Sequence, residues 1–139
     1  MCEKEIECCR GCFACQKTGL CVLRDDMAEI LVKMRQADVI VIATPVYFYG
    51  MCGAMKTFLD RTFPLYPDKQ HFQETYLLAA AGEDLKSTVQ GTQAGLEGWI
   101  SCFENIRLSE VIFAGGVMEK GEIEGHPALC RAYEAGKNV

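Results

Sequence analysis

The chain has 139 residues, half of them apolar, a net charge of −5, and nine cysteines. That length suits one domain with its own core and leaves no room for a second, and the interspersed charges exclude disorder and low complexity. The acidity excludes a duplex nucleic-acid binder, which needs a positive surface. The longest apolar run, residues 39–46, is far short of a membrane span, and residues 1–14 show no basic flank followed by an apolar signal segment, so the protein is expected in the cytoplasm without membrane partners.

Five of the nine cysteines fall in CCRGCFACQKTGLC, residues 8–21. In a reducing compartment a tight cysteine group is a candidate metal or redox site, and an odd total argues against a fully paired disulfide scaffold. Cys2, Cys52, Cys102 and Cys130 are scattered. Lone cysteines in apolar stretches behave as small core residues, which is the expectation for Cys102 and Cys130, whereas Cys52 sits in a loop of chemical interest.

After the cysteines, Asp25 and Asp26 can cap a helix whose Met27, Ile30, Leu31 and Met34 fall on one face of a 3.6-residue period. VIVIATPV, from Val39, is continuously apolar and β-branched, as expected of a strand covered on both faces of a parallel sheet and ended by Pro45. GAMKTFLDRTF then places Met55, Phe58 and Leu59 on one side of a short helix. TYLLAAAG, from Thr75, reads as a second buried strand stopped by Gly82. A helix from Ser87 or Gly91 to about Asn105 repeats Leu96, Trp99, Ile100 and Phe103 at helical spacing, weakened by Gly91, Gly95 and Gly98, with Trp99 read as core. EVIFAGGV is a third strand. His126 looks like a turn residue, and Pro127 opens a last helix through Leu129, Ala132 and Tyr133 that Gly136 can close.

Strands alternating with helices signify right-handed βαβ units and an α/β fold with a parallel sheet between two helical layers. Ligands of such sheets bind outside the carboxyl ends of the strands. The loop TPVYFYGMCG at the first such end combines three consecutive aromatics, Tyr47, Phe48 and Tyr49, with two glycines. A flat conjugated ring could stack there; an apolar loop folded on the core or into a dimer contact would use the same residues. Glu83 and Asp84 at the second strand end could form an acid–base pair or cap the next helix. His71 and His126 are the only histidines, and neither lies in a nucleophile motif.

CCRGCFACQKTGLCVLRDDM followed by ATPVYFYGMCGAMKTFLDRT resembles the flavodoxin-like, NADPH-dependent FMN reductase superfamily, and within it the iron-sulfur flavoproteins, over roughly residues 5–85. The resemblance implies a single flavodoxin-like three-layer sandwich over residues 1–139, with the cysteine-rich segment 8–21 near its start. It also implies that one loop wraps the flavin ring of FMN through Thr44, Pro45, Val46, Tyr47, Phe48 and Gly50, and that Gly82 and Glu83 close its other side. Cys9, Cys12, Cys15 and Cys21, spaced C-x2-C-x2-C-x5-C, match the cluster-binding motif of that branch and so become the expected ligands of a 4Fe-4S cluster. Zinc would accept the same four thiolates, and metal-free thiols are a further alternative; Cys8 could substitute for its neighbour or stay free.

The family holds the flavin phosphate on a Ser/Thr/Asn-rich turn between a first strand and a first helix, which this sequence does not display; Met1 falls about where relatives complete their second strand. The expectation is an N-terminally shortened member whose strand at residues 39–43 has an unpaired apolar edge, covered by homo-oligomerisation. Lys56, Arg61 and Lys86 are the nearby basic candidates for the phosphate. The functional expectation is an NAD(P)H-dependent flavin oxidoreductase or electron-transfer protein working with a small-molecule or protein electron donor and acceptor, with no individual catalytic residue identified. The alternative is a cofactor-free or metal-stabilised oligomeric module without catalysis.

Overall fold

A computed structural model describes residues 4–139, so Cys2 lies outside the described residues. The elements in chain order are α1 (Ala14–Thr18), α2 (Met27–Gln36), β1 (Val39–Tyr47), β2 (Gly50–Met51), α3 (Gly53–Asp60), a short 3-10 turn (Phe63–Leu65), β3 (Glu74–Ala80), α4 (Gln90–Ile100), β4 (Arg107–Ala114) and α5 (Pro127–Lys137). The sheet order is β2-β1-β3-β4, with β1, β3 and β4 mutually parallel and only the two-residue β2 antiparallel. Parallel neighbours in this order require crossovers, which α3 and α4 supply.

Side-chain alternation along the strands divides the core in two. Ile42 of β1 and Leu77 and Ala79 of β3 point into the main cluster with Met27, Leu31 and Met34 of α2, Met55, Phe58 and Leu59 of α3, and Leu96 and Ile100 of α4. The apolar periods read in α2 and α3 are thus their packing faces. Trp99 is structural, as expected: its ring lies between Phe72 and Phe103, and its indole N–H donates to Thr62 Oγ1 at 2.8 Å. On the opposite face, Ile112 and Ala114 of β4 pack on Ala128 of α5, with Leu78, Ala80, Ala132 and Ala135 around them.

That second face is where the structure corrects the sequence. Among the described residues, α5 and Val117 and Ile123 of the loop before it cover its β4 side, so β1 is buried on one side and bare on the other: Val41, Ala43 and Pro45 are exposed. A groove of about 450 Å³ runs between β1, β3 and α5. Along residues 39–45 the outer edge of β1 pairs with nothing among the described residues, as expected, and the segment before α2 contributes no strand. Pro45 does not end β1, which continues to Tyr47. A proline lacks the N–H a central strand needs, but β1 is an edge strand at that point and tolerates it.

Helix boundaries and faces differ in instructive ways. Helix α5 packs through its alanines, leaving Leu129 and Tyr133 exposed, and runs past Gly136 to Lys137. His126 is its N-cap, Nδ1 accepting from the Ala128 N–H at 3.1 Å. Helix α4 stops at Ile100 rather than near Asn105. Cys102 and Cys130 are exposed rather than core, because the first lies beyond the end of α4 and the second on the outward face of α5.

Candidate functional site

Strand β1 turns back into β2 through Phe48 and Tyr49, with Tyr47 paired to Gly50. Both turn residues have positive φ, 49° and 62°. A two-residue hairpin with positive φ at both central positions is a type I′ turn, for which Asn-Gly is the favoured sequence. Bulky aromatics there are conformational outliers that cost about 1–3 kcal/mol each and persist only where the surroundings impose them. The result is presentation rather than burial, for Phe48 is fully exposed and Tyr47 and Tyr49 project into solvent beside it.

The residues that impose this turn lie behind it. Helix α4 presents Gly91 to the Tyr49 carbonyl and Gly95 to the Met51 side chain. These are two of the glycines that weaken α4 in isolation, and their role is to let the hairpin sit close. The Tyr49 hydroxyl donates to Glu83 Oε1 at 3.5 Å, and the Thr88 hydroxyl donates to the other Glu83 oxygen, so the loops after β1 and β3 are tied together. Gly82 abuts Met118 from the loop after β4. Thr44 is buried: its hydroxyl donates to the Pro45 carbonyl at 2.9 Å and accepts from the Cys52 N–H at 3.2 Å, shaping the loop from inside. Thr44, Pro45, Val46, Tyr47, Phe48, Gly50, Gly82 and Glu83 therefore gather at the carboxyl ends of β1 and β3. The rim exposes aromatic side chains and loop backbone, the chemistry a planar ring stacks on, whereas no phosphate-holding turn precedes β1 among the described residues.

The four expected cysteine ligands meet at a second place. Cys9, Cys12, Cys15 and Cys21 all line one cavity of about 290 Å³, closed by Arg61, Phe63 and Pro64. Left-handed backbone at Gly11, Phe13 and Gly19 turns the chain around it, and Phe13 meets Phe63 edge-on at 5.8 Å. Arg35 of α2 fastens the end of the turn by donating to the carbonyls of Gly19 and Pro64, both at 3.2 Å. Burial pushes the Cys15 thiol pKa up, with Cys21, Cys12 and Cys9 adding to that push. Cys8 does not line the cavity; its sulfur faces the Thr57 hydroxyl, 4.0 Å away.

Among the described residues, no three His, Cys, Asp or Glu side chains close in tightly enough to hold one metal ion. Four thiolates on one zinc would stand about 3.8 Å apart, given Zn–S bonds near 2.3 Å. A cuboidal cluster instead takes each thiolate on a different iron, so it fits cysteines arrayed around a cavity rather than converging on a point.

Sequence reasoning missed what closes this cavity. Arg61, read as a candidate for the flavin phosphate, is 1% exposed at the far end of α3. It donates to both Asp25 oxygens, at 2.6 and 2.9 Å, and to the Glu7 carbonyl at 2.7 Å. Asp25 also accepts from the N–H groups of Glu7 and Met27, so one carboxylate joins the cysteine segment, the start of α2 and the end of α3. Asp26 stands at the N-cap of α2 as expected, but its carboxylate makes no capping bond and accepts instead from the Glu5 N–H at 2.8 Å. The Arg61 guanidinium holds the Asp25 carboxyl down to about 2. Lys56 pairs with Asp60 on the surface of α3, and Lys86 is exposed.

The chain shares 44% identity over 63 residues with an iron-sulfur flavoprotein of Methanocaldococcus jannaschii, the match covering 45% of this chain and 33% of that protein. It is 28% identical over 128 residues to the Bacillus subtilis protein YwqN, named as an NAD(P)H-dependent FMN-containing oxidoreductase, covering 82% of this chain and 67% of that one. An FMN-dependent NADH-azoreductase from Bacillus anthracis, solved with FMN, superposes with a TM-score of 0.67 over 98% of this chain and 77% of its own, at 17% identity, which establishes the flavodoxin-like fold. Residues 2–106 match the family described as NADPH-dependent FMN reductase. With three-quarters of its length inside that match and the same α/β architecture, the chain belongs to the NADPH-dependent FMN reductase family.

Proposed function

We propose that this chain is an electron-transfer module of an NAD(P)H-dependent flavin oxidoreductase, with FMN at the aromatic rim and a 4Fe-4S cluster on Cys9, Cys12, Cys15 and Cys21. The observation that carries the reading is the arrangement of those four cysteines around one cavity, with a strained, exposed aromatic hairpin at the other end of α3. The relative matched over 63 residues is named an iron-sulfur flavoprotein, and the relative matched over 128 residues is named for FMN. Bound flavin exchanges electrons with a nicotinamide or carrier, and the cluster accepts or supplies them singly. The chain's residues would flank the flavin ring with Tyr47 and Phe48, meet its edge with loop backbone, and shield cluster sulfurs with Phe13, Phe63 and Pro64. The donor and acceptor are proposed to be small molecules or redox proteins.

Anaerobic reconstitution with iron, sulfide and FMN, followed by metal, sulfide and flavin analysis, tests this directly. Iron and flavin should both be retained, and Cys12→Ser should remove iron while Cys8→Ser keeps it. Retention of full iron by Cys12→Ser would refute the ligand set, and failure to bind flavin in excess FMN would refute the oxidoreductase reading.

A second reading has its own observation. The bare face and open edge of β1 suit an oligomeric module in which another copy of the chain covers the groove of Ala43, Leu78, Ile112 and Leu129. Light scattering on the native protein and on Val41→Lys should show assembly in the first and its loss in the second. A monomeric native protein would remove this reading.

A further inference from the structure

Arg61 engages both terminal nitrogens of its guanidinium and leaves Nε, fully buried, without a partner. A buried orphan donor on a permanently charged group is costly, and such groups persist where something receives the bond. Arg61 lines the cavity of the four cysteines. Cys21 is the neighbour that, after Asp25, most favours its charged form. Arg61 thus borders the cysteine site with one buried N–H unpartnered, while Asp25 fixes the orientation of its planar fork through two parallel bonds.

Resting on the reading of these cysteines as cluster ligands, we propose that Arg61 Nε donates a hydrogen bond to a sulfur of the cluster. It is a positioning residue for the electron, setting the potential of the centre rather than ligating it. Hydrogen bonds to sulfur and net charge are the protein's levers on cluster potential, and a reduced cluster, carrying one more negative charge, gains more from the donor than an oxidised one. Arg61 raises the potential, and the Asp25 carboxylate opposes it with a negative charge. The two residues should act with opposite sign, which a purely structural latch would not do.

The test is spectroelectrochemical titration of the reconstituted holoprotein. Arg61→Met should disfavour reduction by about tenfold, a fall of about 59 mV for one electron. Asp25→Asn should shift the potential upward. Equal potentials in all three proteins, or a shift of the same sign in both variants, overturn the assignment. If neither variant folds, wild-type protein labelled with 15N at arginine Nε still decides: pulsed EPR of the reduced cluster should reveal a coupled arginine nitrogen that survives Arg10→Lys, and its absence overturns the proposal. Iron analysis separates the two levels. A wild-type chain that takes up no iron sinks the cluster reading and this inference together, whereas a full cluster with no arginine coupling sinks only the role of Arg61.

Discussion

Gly91 and Tyr49 meet backbone to backbone: a Cβ at position 91 would stand 2.1 Å from the Tyr49 carbonyl oxygen. Nothing flexible separates them, so Gly91→Ala must push the hairpin outward. The overpacking costs about 1–3 kcal/mol, partly offset by the better helix propensity of alanine. Thermal unfolding should change little, while flavin titration should show affinity falling by about tenfold, equivalent to ~1.4 kcal/mol.

Phe48 and Tyr49 occupy left-handed backbone that their side chains disfavour. Replacing the pair by Phe48→Asn and Tyr49→Gly should relieve about 1–2 kcal/mol per residue and raise the melting temperature of the flavin-free protein. The same double variant should bind flavin more weakly, since it removes the exposed ring and the Tyr49 hydroxyl donated to Glu83. A stabilised variant with undiminished flavin affinity would show that the aromatic turn is not part of the binding rim.

The described residues before β1 form the cysteine turn with α1, and α2, but no strand. Riboflavin and FMN should therefore bind this 139-residue chain within about tenfold of one another. A seated phosphate would separate them much further, since each charge-assisted hydrogen bond contributes ~1.5–3 kcal/mol. Isothermal titration with both ligands gives the answer.

Asp25 is nearly buried and its carboxyl is held down to about 2 by Arg61, against an ordinary value of 3.8. Its contribution is complete above the unfolded value and disappears as pH falls through about 2, in the window from roughly pH 4 downward. Urea unfolding across that window should lose on the order of 2 kcal/mol from this group. In Asp25→Asn the corresponding acid slope should be absent, at the expense of a less stable protein near neutrality because Arg61 is left buried without its counter-charge.

Much of the architecture was legible because it rests on period. Met55, Phe58 and Leu59 of α3 and Leu31 and Met34 of α2 were read as packing residues and are buried. The aromatic hairpin was visible as composition but not as shape, since a type I′ turn without asparagine or glycine contradicts local propensity and exists only because α4 lies behind it. The packing face of α5 was misjudged because large apolar residues dominate a periodicity reading, whereas small Ala128, Ala132 and Ala135 make the close contacts. Arg61 was misplaced as a phosphate candidate, for its true partner is 36 residues away and nothing local to Arg61 points to it.

The half-clothed sheet also bears on how the protein's melting should be followed. Val41, Leu129 and Tyr133 present apolar area before any unfolding, enough to attract environment-sensitive dyes to the native state. Dye-based thermal scans of the isolated chain should begin bright and report little, while the far-ultraviolet signal of its helices should give an undistorted transition.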